Sequence, residues 1–293
     1  MAVYKRRYNP YAGSLTPEWS RFYVLTRYAF AELFKSRVFV IFFILALVPT
    51  VGFAAYIFIA NNKTVQLLLQ IRMGDVLTVD SQYFLIFLFS QSWLAFLLNC
   101  WVGPTLVSGD LVNGALPLFL SRPFSRSEYV LGKLAVLGIL LSCVTWIPAL
   151  ILFFLQGGLA TGWLWPHLWM IVPIVCCSLI WILMLSLISL SVSAWMKLRI
   201  VATGVTFISF IVPAAIGAIF DAIMRTYWGG LLNFPQLFQD IIANAFHADE
   251  HFRGSYRFNQ IPIPMAWAML VLVCVLALFL LNSRLRAREV VRG

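Results

Sequence analysis

Six stretches of this chain stay apolar for about the thickness of a membrane, and no other feature narrows its folding options so far. They run over 38–60, 84–107, 134–155, 168–192, 200–220 and 265–281. About 20 helical residues, rising ~1.5 Å each, cross a hydrocarbon layer of ~30 Å. Lipid supplies no hydrogen bonds, so each stretch must pair its own N–H and C=O groups, as a helix does and a lone strand does not. The expected fold class is therefore all-α: an integral membrane protein with six transmembrane helices filling 38–281. Pro49, Pro148, Pro173 and Pro213 fall inside these stretches, where proline is tolerated and predicts kinks.

Composition excludes the soluble alternatives. Hydrophobic residues make up 62% of the 293 and charged residues 11%, against about 45–50% and about 25% in an ordinary soluble domain. A soluble enzyme, a disordered chain and a secreted disulfide scaffold are all ruled out. The five cysteines (Cys100, Cys143, Cys176, Cys177, Cys274) lie in apolar runs with no Cys-x-x-Cys pair, which reads as helix-interface filling rather than a redox or metal site.

The formal charge of +10 is first a topology signal in such a chain. Sixteen of the 21 Lys and Arg fall before the first stretch, between the second and third, between the fourth and fifth, or after the sixth. The other five occupy the intervening loops. The richer side is expected to be cytoplasmic, with both termini inside and a basic tail over 282–293. Lys5–Arg7 are followed by some thirty mixed residues, not by a short apolar core. The first span is thus expected to act as its own insertion signal.

Residues 1–37 hold a second pattern. Thr16-Pro17-Glu18 reads as a helix start, with an N-cap, a proline at the first position and an acid in the first turn. At 100° per residue, Trp19, Phe22, Tyr23, Thr26, Phe30, Leu33 and Phe34 share a face, with Arg21, Glu32 and Lys35 opposite and Arg27 at the margin. An aromatic, basic, amphipathic helix before a span is expected to lie in the cytoplasmic interface.

Within the six stretches as bounded there is no Asp, Glu, Lys, Arg or His; His167 stands just before the fourth. Ion-driven transporters and voltage sensors need ionisable groups there. The polar residues that remain are Gln91 and Asn99 in the second stretch and Ser186, Ser189 and Ser193 in the fourth. They suit hydrogen bonding between helices. A transporter so built must draw its energy from elsewhere.

The loop over 108–133 is the most informative segment. It carries Asp110, then Asn113-Gly114-Ala115-Leu116, then Leu118 and Phe119. Arg122-Pro123-Phe124-Ser125-Arg126 and Gly132-Lys133 follow as the next span opens. This run of about 25 residues resembles the corresponding loop of ABC-2 type permeases, the membrane subunits of ATP-driven exporters. In that family the loop shows an acid, a Gly-Thr-Leu-like turn, a short amphipathic helix, Pro-x-Ser-Arg and Gly-Lys. Here Ala115 replaces the usual Thr, and Pro117 stands where an acid is common.

The resemblance implies an ABC-2 type exporter fold in the bacterial plasma (inner) membrane, and a coupling helix over 111–120 that docks into an ATPase subunit. Leu116, Leu118 and Phe119 would supply its apolar knob, and Arg122 and Arg126 would pair with carboxylates or lipid phosphates. It also implies a second permease copy or paralogue as partner. No Gly-x-x-x-x-Gly-Lys-[Ser/Thr] occurs, since Gly132-Lys133 is followed by Leu134. ATP and magnesium are therefore expected on the partner ATPase, with no cofactor on this chain.

Residues 61–82 and 221–262 are expected outside. The second loop is half apolar between Tyr227 and Phe246. It is read as short helices tucked into the membrane surface and broken at Gly229-Gly230 and Pro235, similar to the family's re-entrant segment. His247, Glu250 and His251 match the His-x-x-Glu-His of inverted zincins, but no third ligand follows on that side. A solvated turn is the plainer reading. A membrane metalloenzyme using these residues, and an ATPase-linked subunit that transmits force to an extracytoplasmic partner, are the alternatives. No nucleic-acid surface is recognisable.

Overall fold

The computed structural model describes residues 21–69, 78–112, 126–196, 198–247 and 261–284. The described residues are helical and contain no strand. Among the described residues, six helical segments are long and apolar enough to cross a membrane: Arg37–Asn61, Ser81–Asp110, Ser127–Leu159, Leu164–Trp195, Arg199–Met224 and Ile263–Arg284. Each contains one of the six apolar stretches of the sequence. The chain is a multi-pass membrane protein.

The elements are α1 (Arg21–Lys35), α2 (Arg37–Asn61), α3 (Lys63–Leu69), α4 (Ser81–Val112), α5 (Arg126–Ser142), α6 (Trp146–Leu159), α7 (Leu164–His167), α8 (Ile171–Trp195), α9 (Arg199–Met224), α10 (Phe234–Ala245) and α11 (Ile263–Arg284). A 3-10 turn over Leu168–Met170 joins α7 to α8, and another over Trp228–Leu232 precedes α10. Only Ser36 separates α1 from α2; its hydroxyl accepts from the Phe39 N–H and caps the new helix.

The prolines do not act alike. Pro49 and Pro213 lie inside the unbroken helices α2 and α9. The third span, by contrast, breaks into α5 and α6 at 143–145, one turn before Pro148. That is where a proline ring clashes, against the carbonyl of residue i−4, here Val144. Pro173 sits in the first turn of α8, just after the 3-10 turn. Pro104, inside α4, is a further span proline that the hydropathy reading overlooks.

Burial sorts the spans into two sets. The second, third and fourth form the centre, whereas α2, α9 and α11 bury few of their residues. The exposed surface is rich in large apolar side chains, such as Ile200, Ile211, Ile219 and Phe279. Such a surface suits lipid contact, not water.

A seam between α4 and α8 uses the sparse polar residues. Asn99 donates to the Leu185 carbonyl and accepts from Ser189 Oγ, each at 3.1 Å. Ser193 Oγ accepts the Ser108 N–H at 2.8 Å and donates to the Pro104 carbonyl at 2.5 Å. The Ser193 hydroxyl thus inserts into the hydrogen-bond ladder of α4 beside its proline. Gly103 permits this approach, since a Cβ there would strike the Ser189 side chain. Gln91 ties α4 to α2 through Thr50 Oγ1 at 3.0 Å. The cysteines are free; Cys100 and Cys177 are buried among apolar neighbours and Cys176 is exposed.

Opposite the α1 end, the segment after α9 folds back onto the bundle. The glycines at 229–230 lie within a 3-10 turn, so the expected break there is displaced; the chain turns instead at 225–227 and at Asn233. Arg225 is left-handed at φ 51°. Gly217 and Gly229 touch backbone to backbone, and a Cβ on either would run into the other's carbonyl. The Asp221 carboxylate accepts the Gly229 N–H at 2.6 Å. Pro235 opens α10 rather than breaking it, because its missing N–H is no loss in a first turn. The apolar face of α10 then buries Phe234, Leu237, Phe238 and Ile241, with Phe238 stacked on Trp181 at 4.5 Å.

Candidate functional site at the α1 end

The ends of α4, α8 and α11 and the starts of α5 and α9 lie at the same end of the bundle as α1. Contacts connect them in turn. Thr26 Oγ1 on α1 donates to the Gly132 carbonyl on α5 at 3.2 Å. The guanidinium of Arg199 (α9) lies 6.0 Å from the ring of Trp101 (α4). That of Arg284 (α11) lies 5.3 Å from Trp195 (α8).

Asp110 and Lys133 form the centre of this end. α4 runs on past its apolar body to Asp110, whose Oδ2 accepts from Lys133 Nζ at 2.8 Å and from Tyr129 Oη at 2.8 Å. Tyr129 and Lys133 are four apart on α5 and so share a face. The Lys133 ammonium also lies 5.5 Å from the Tyr129 ring. Lys133 is 5% exposed; unpaired, it would keep a charge with little water around it. Removing one partner of a buried pair costs about 3–5 kcal/mol, and the partial exposure of Asp110 places this pair toward the lower figure.

The two spans that flank the loop over 108–133 are therefore pinned together where that loop begins and ends. Asp110 and Lys133, both expected to take part in ATPase coupling, are brought into direct contact. Arg126 opens α5. Asn113, Gly114, Leu116, Leu118, Phe119, Arg122, Pro123 and Ser125 lie outside the described residues; of the helix expected over 111–120, Leu111 and Val112 are the last residues of α4 and the remainder lies outside the described residues. Tyr129 is the member that sequence reading missed, although its spacing from Lys133 was the available signal.

A helix over Arg21–Lys35 precedes the first span. Its expected apolar face divides. Thr26 is buried against α5, while Phe30 and Leu33 pack half-buried on the core. Tyr23, Arg27 and Phe34 are exposed, and the Phe34 ring meets Phe30, Phe39 and Phe43. Phe22 lies in the first turn; Trp19 and the start at 16–18 lie outside the described residues.

His247, the first residue of the His-x-x-Glu-His pattern, is at the opposite end. His247 follows the end of α10 with a left-handed φ of 51°, so it does not prolong that helix. Its ring meets Trp169 at 5.3 Å. Glu250 and His251 lie outside the described residues. Among the described residues, no three His, Cys, Asp or Glu gather closely enough to hold a metal.

Beside the Asp110–Lys133 pair is a cavity of about 530 Å³, walled by α1, α2, α4, α5 and α9, with Glu32 and Arg199 on its lining. No protein-family model matches the chain, and no curated protein does so either.

Proposed function

We propose that the protein is the membrane-embedded permease subunit of an ATP-driven ABC exporter with an ABC-2 type arrangement, joined to a separate ATPase subunit. The observation that carries this reading is the Asp110–Lys133–Tyr129 knot. Residues 111–120 act as the coupling helix. A force on that helix reaches α4 and α5 together, because their ends are tied by a charge pair and a hydrogen bond instead of hinging separately. α1, lying in the cytoplasmic interface of the bacterial inner membrane, braces α5 through Thr26 and Gly132. Both termini are cytoplasmic, by the bias of Lys and Arg toward that side.

The working unit contains two six-span bundles, from two copies or a copy and a paralogue, and two ATPase subunits that hold ATP and magnesium. Closure of the ATPases presses on the coupling helices and rocks the bundles against each other, so that the path between them opens alternately to each side. The Arg122 and Arg126 side chains pair with carboxylates of the ATPase.

The test is affinity purification of the full chain from its native membrane. An ATPase should co-purify with it, and Arg122→Ala together with Arg126→Ala should reduce recovery of that ATPase about tenfold or more, as expected for lost charge-assisted contacts. Recovery unchanged in the double variant, or a chain that never brings down an ATPase, would refute the assignment. An ATPase complex in which no vesicle-enclosed solute or lipid moves, yet an extracytoplasmic protein stays bound, would replace transport with force transmission.

A further inference from the structure

We propose that the cavity at the α1 end binds the headgroup of a zwitterionic phospholipid bearing a primary amine, of the phosphatidylethanolamine type. This goes beyond the permease reading and does not depend on it. The volume of about 530 Å³ falls in the range of about 300–1,000 Å³ usual for ligand sites. Among the described residues, four charged ones line it. Two of them, Asp110 and Lys133, already neutralise each other at 2.8 Å.

Glu32 on α1 and Arg199 at the start of α9 are left, one anion and one cation. Neither has an ion-pair partner among the described residues. A wall with one free charge of each sign complements a zwitterion better than an anionic or a neutral ligand. The guanidinium fork of Arg199 suits a phosphate, which it can grip through two N–H donors. The Glu32 carboxylate accepts hydrogen bonds and needs a donor, which a primary ammonium supplies and a trimethylammonium does not.

The aromatic surface agrees with that choice. Trp101 could otherwise cradle a choline group, but the Arg199 guanidinium already faces its ring at 6.0 Å. The rest of the lining includes Leu33, Phe39 and Leu106, apolar groups able to meet the glycerol and the first acyl carbons. The cavity also sits where the apolar bodies of α4 and α9 end, the depth at which headgroups lie. Neighbouring Trp101 and Ile200 are exposed on the bundle's apolar surface, so a lipid can arrive from the side with its chains in the bilayer.

Native mass spectrometry of the full chain, released from micelles with equal amounts of phosphatidylethanolamine, phosphatidylglycerol and phosphatidylcholine, tests the assignment. The chain should retain phosphatidylethanolamine about tenfold over either other lipid, the discrimination expected of one charge-assisted hydrogen bond. Glu32→Gln should erase that preference. Arg199→Gln should lower retention of all three lipids, and Arg199→Lys should restore part of it. Glu32 is exposed on its helix, so its variant should fold even if the Arg199 variants do not.

Equal retention of the three lipids, or a preference untouched by Glu32→Gln, overturns the proposal. So does displacement of the lipid by an equal concentration of soluble phosphoethanolamine, which would make the apolar wall irrelevant. A chain released as a lipid-free dimer would mean that a second copy covers the cavity instead.

Discussion

The two ends of the bundle are closed by different physics. At the α1 end, charge and hydroxyl groups do the joining: Asp110 with Lys133 and Tyr129, Thr26 with Gly132, Ser193 with Pro104 and Ser108. At the opposite end, neutral hydrogen bonds and one to a carboxylate (Asn61 with Gln156, Gly229 N–H with Asp221) stand beside close steric joints. Gly217 meets Gly229 backbone to backbone, and the α10 face stacks Phe238 on Trp181. Close packing of that kind has one good arrangement and resists sliding. A charge pair keeps much of its attraction over a modest displacement, because Coulomb energy falls only slowly with distance. The difference places the adjustable joint at the α1 end and the stiffer one at the opposite end.

Substitutions can break that contrast. The largest effect is expected from Lys133→Met, which leaves the Asp110 carboxylate without its cation; about 3 kcal/mol of stability should be lost, read by thermal unfolding in detergent. Combining it with Asp110→Asn should recover part of the loss, and a double variant as poor as the sum of the singles would deny the coupling.

Next comes Gly217→Ala at the opposite end, where the new Cβ forces two backbones apart. A loss of about 2 kcal/mol is expected, and solvent labelling of a cysteine introduced at Leu232 should rise as the turn lifts. Unchanged labelling would show that this end is not sterically closed. Ser193→Ala should cost about 1 kcal/mol, in keeping with hydrogen bonds between membrane helices. Amide exchange should then quicken around Ser108, whose N–H loses that acceptor. The smallest effect, about 0.5 kcal/mol, is expected for Thr26→Val, a near-isosteric loss of one hydrogen bond. Its readout is loosening of α1 from α5, measured by the distance between spin labels on the two helices.

Much of the architecture was legible in the residues because a membrane is a demanding solvent. The six spans, the helical tuck of the half-apolar loop after α9, and the role of Asn99, Ser189 and Ser193 between helices all follow from the need to pair polar groups away from water. The breaks were less legible. The Pro148 break falls at 143–145 because the clash is with a carbonyl four residues upstream. Gly229 and Gly230 look like a break in sequence, yet Gly229 serves a close contact with Gly217, which hydropathy does not encode. For the candidate site, Asp110 and Lys133 were singled out by the loop pattern, but their mutual pairing was not. Tyr129 and the Glu32–Arg199 cavity were missed because their partners lie on other helices.

By itself, then, the sequence determined that the chain is helical, how many times it can cross a membrane and where its charges collect. Those properties are set by runs of neighbouring residues against the solvent around them. Only the tertiary structure decided that Ser193 would enter the ladder of α4, that Gly217 and Gly229 would touch, and that Asp110 would meet Lys133 beside a cavity that Glu32 and Arg199 also line. Such contacts depend on the rotation and depth of each helix against the next. Helices that are apolar on nearly every side leave those two variables to packing.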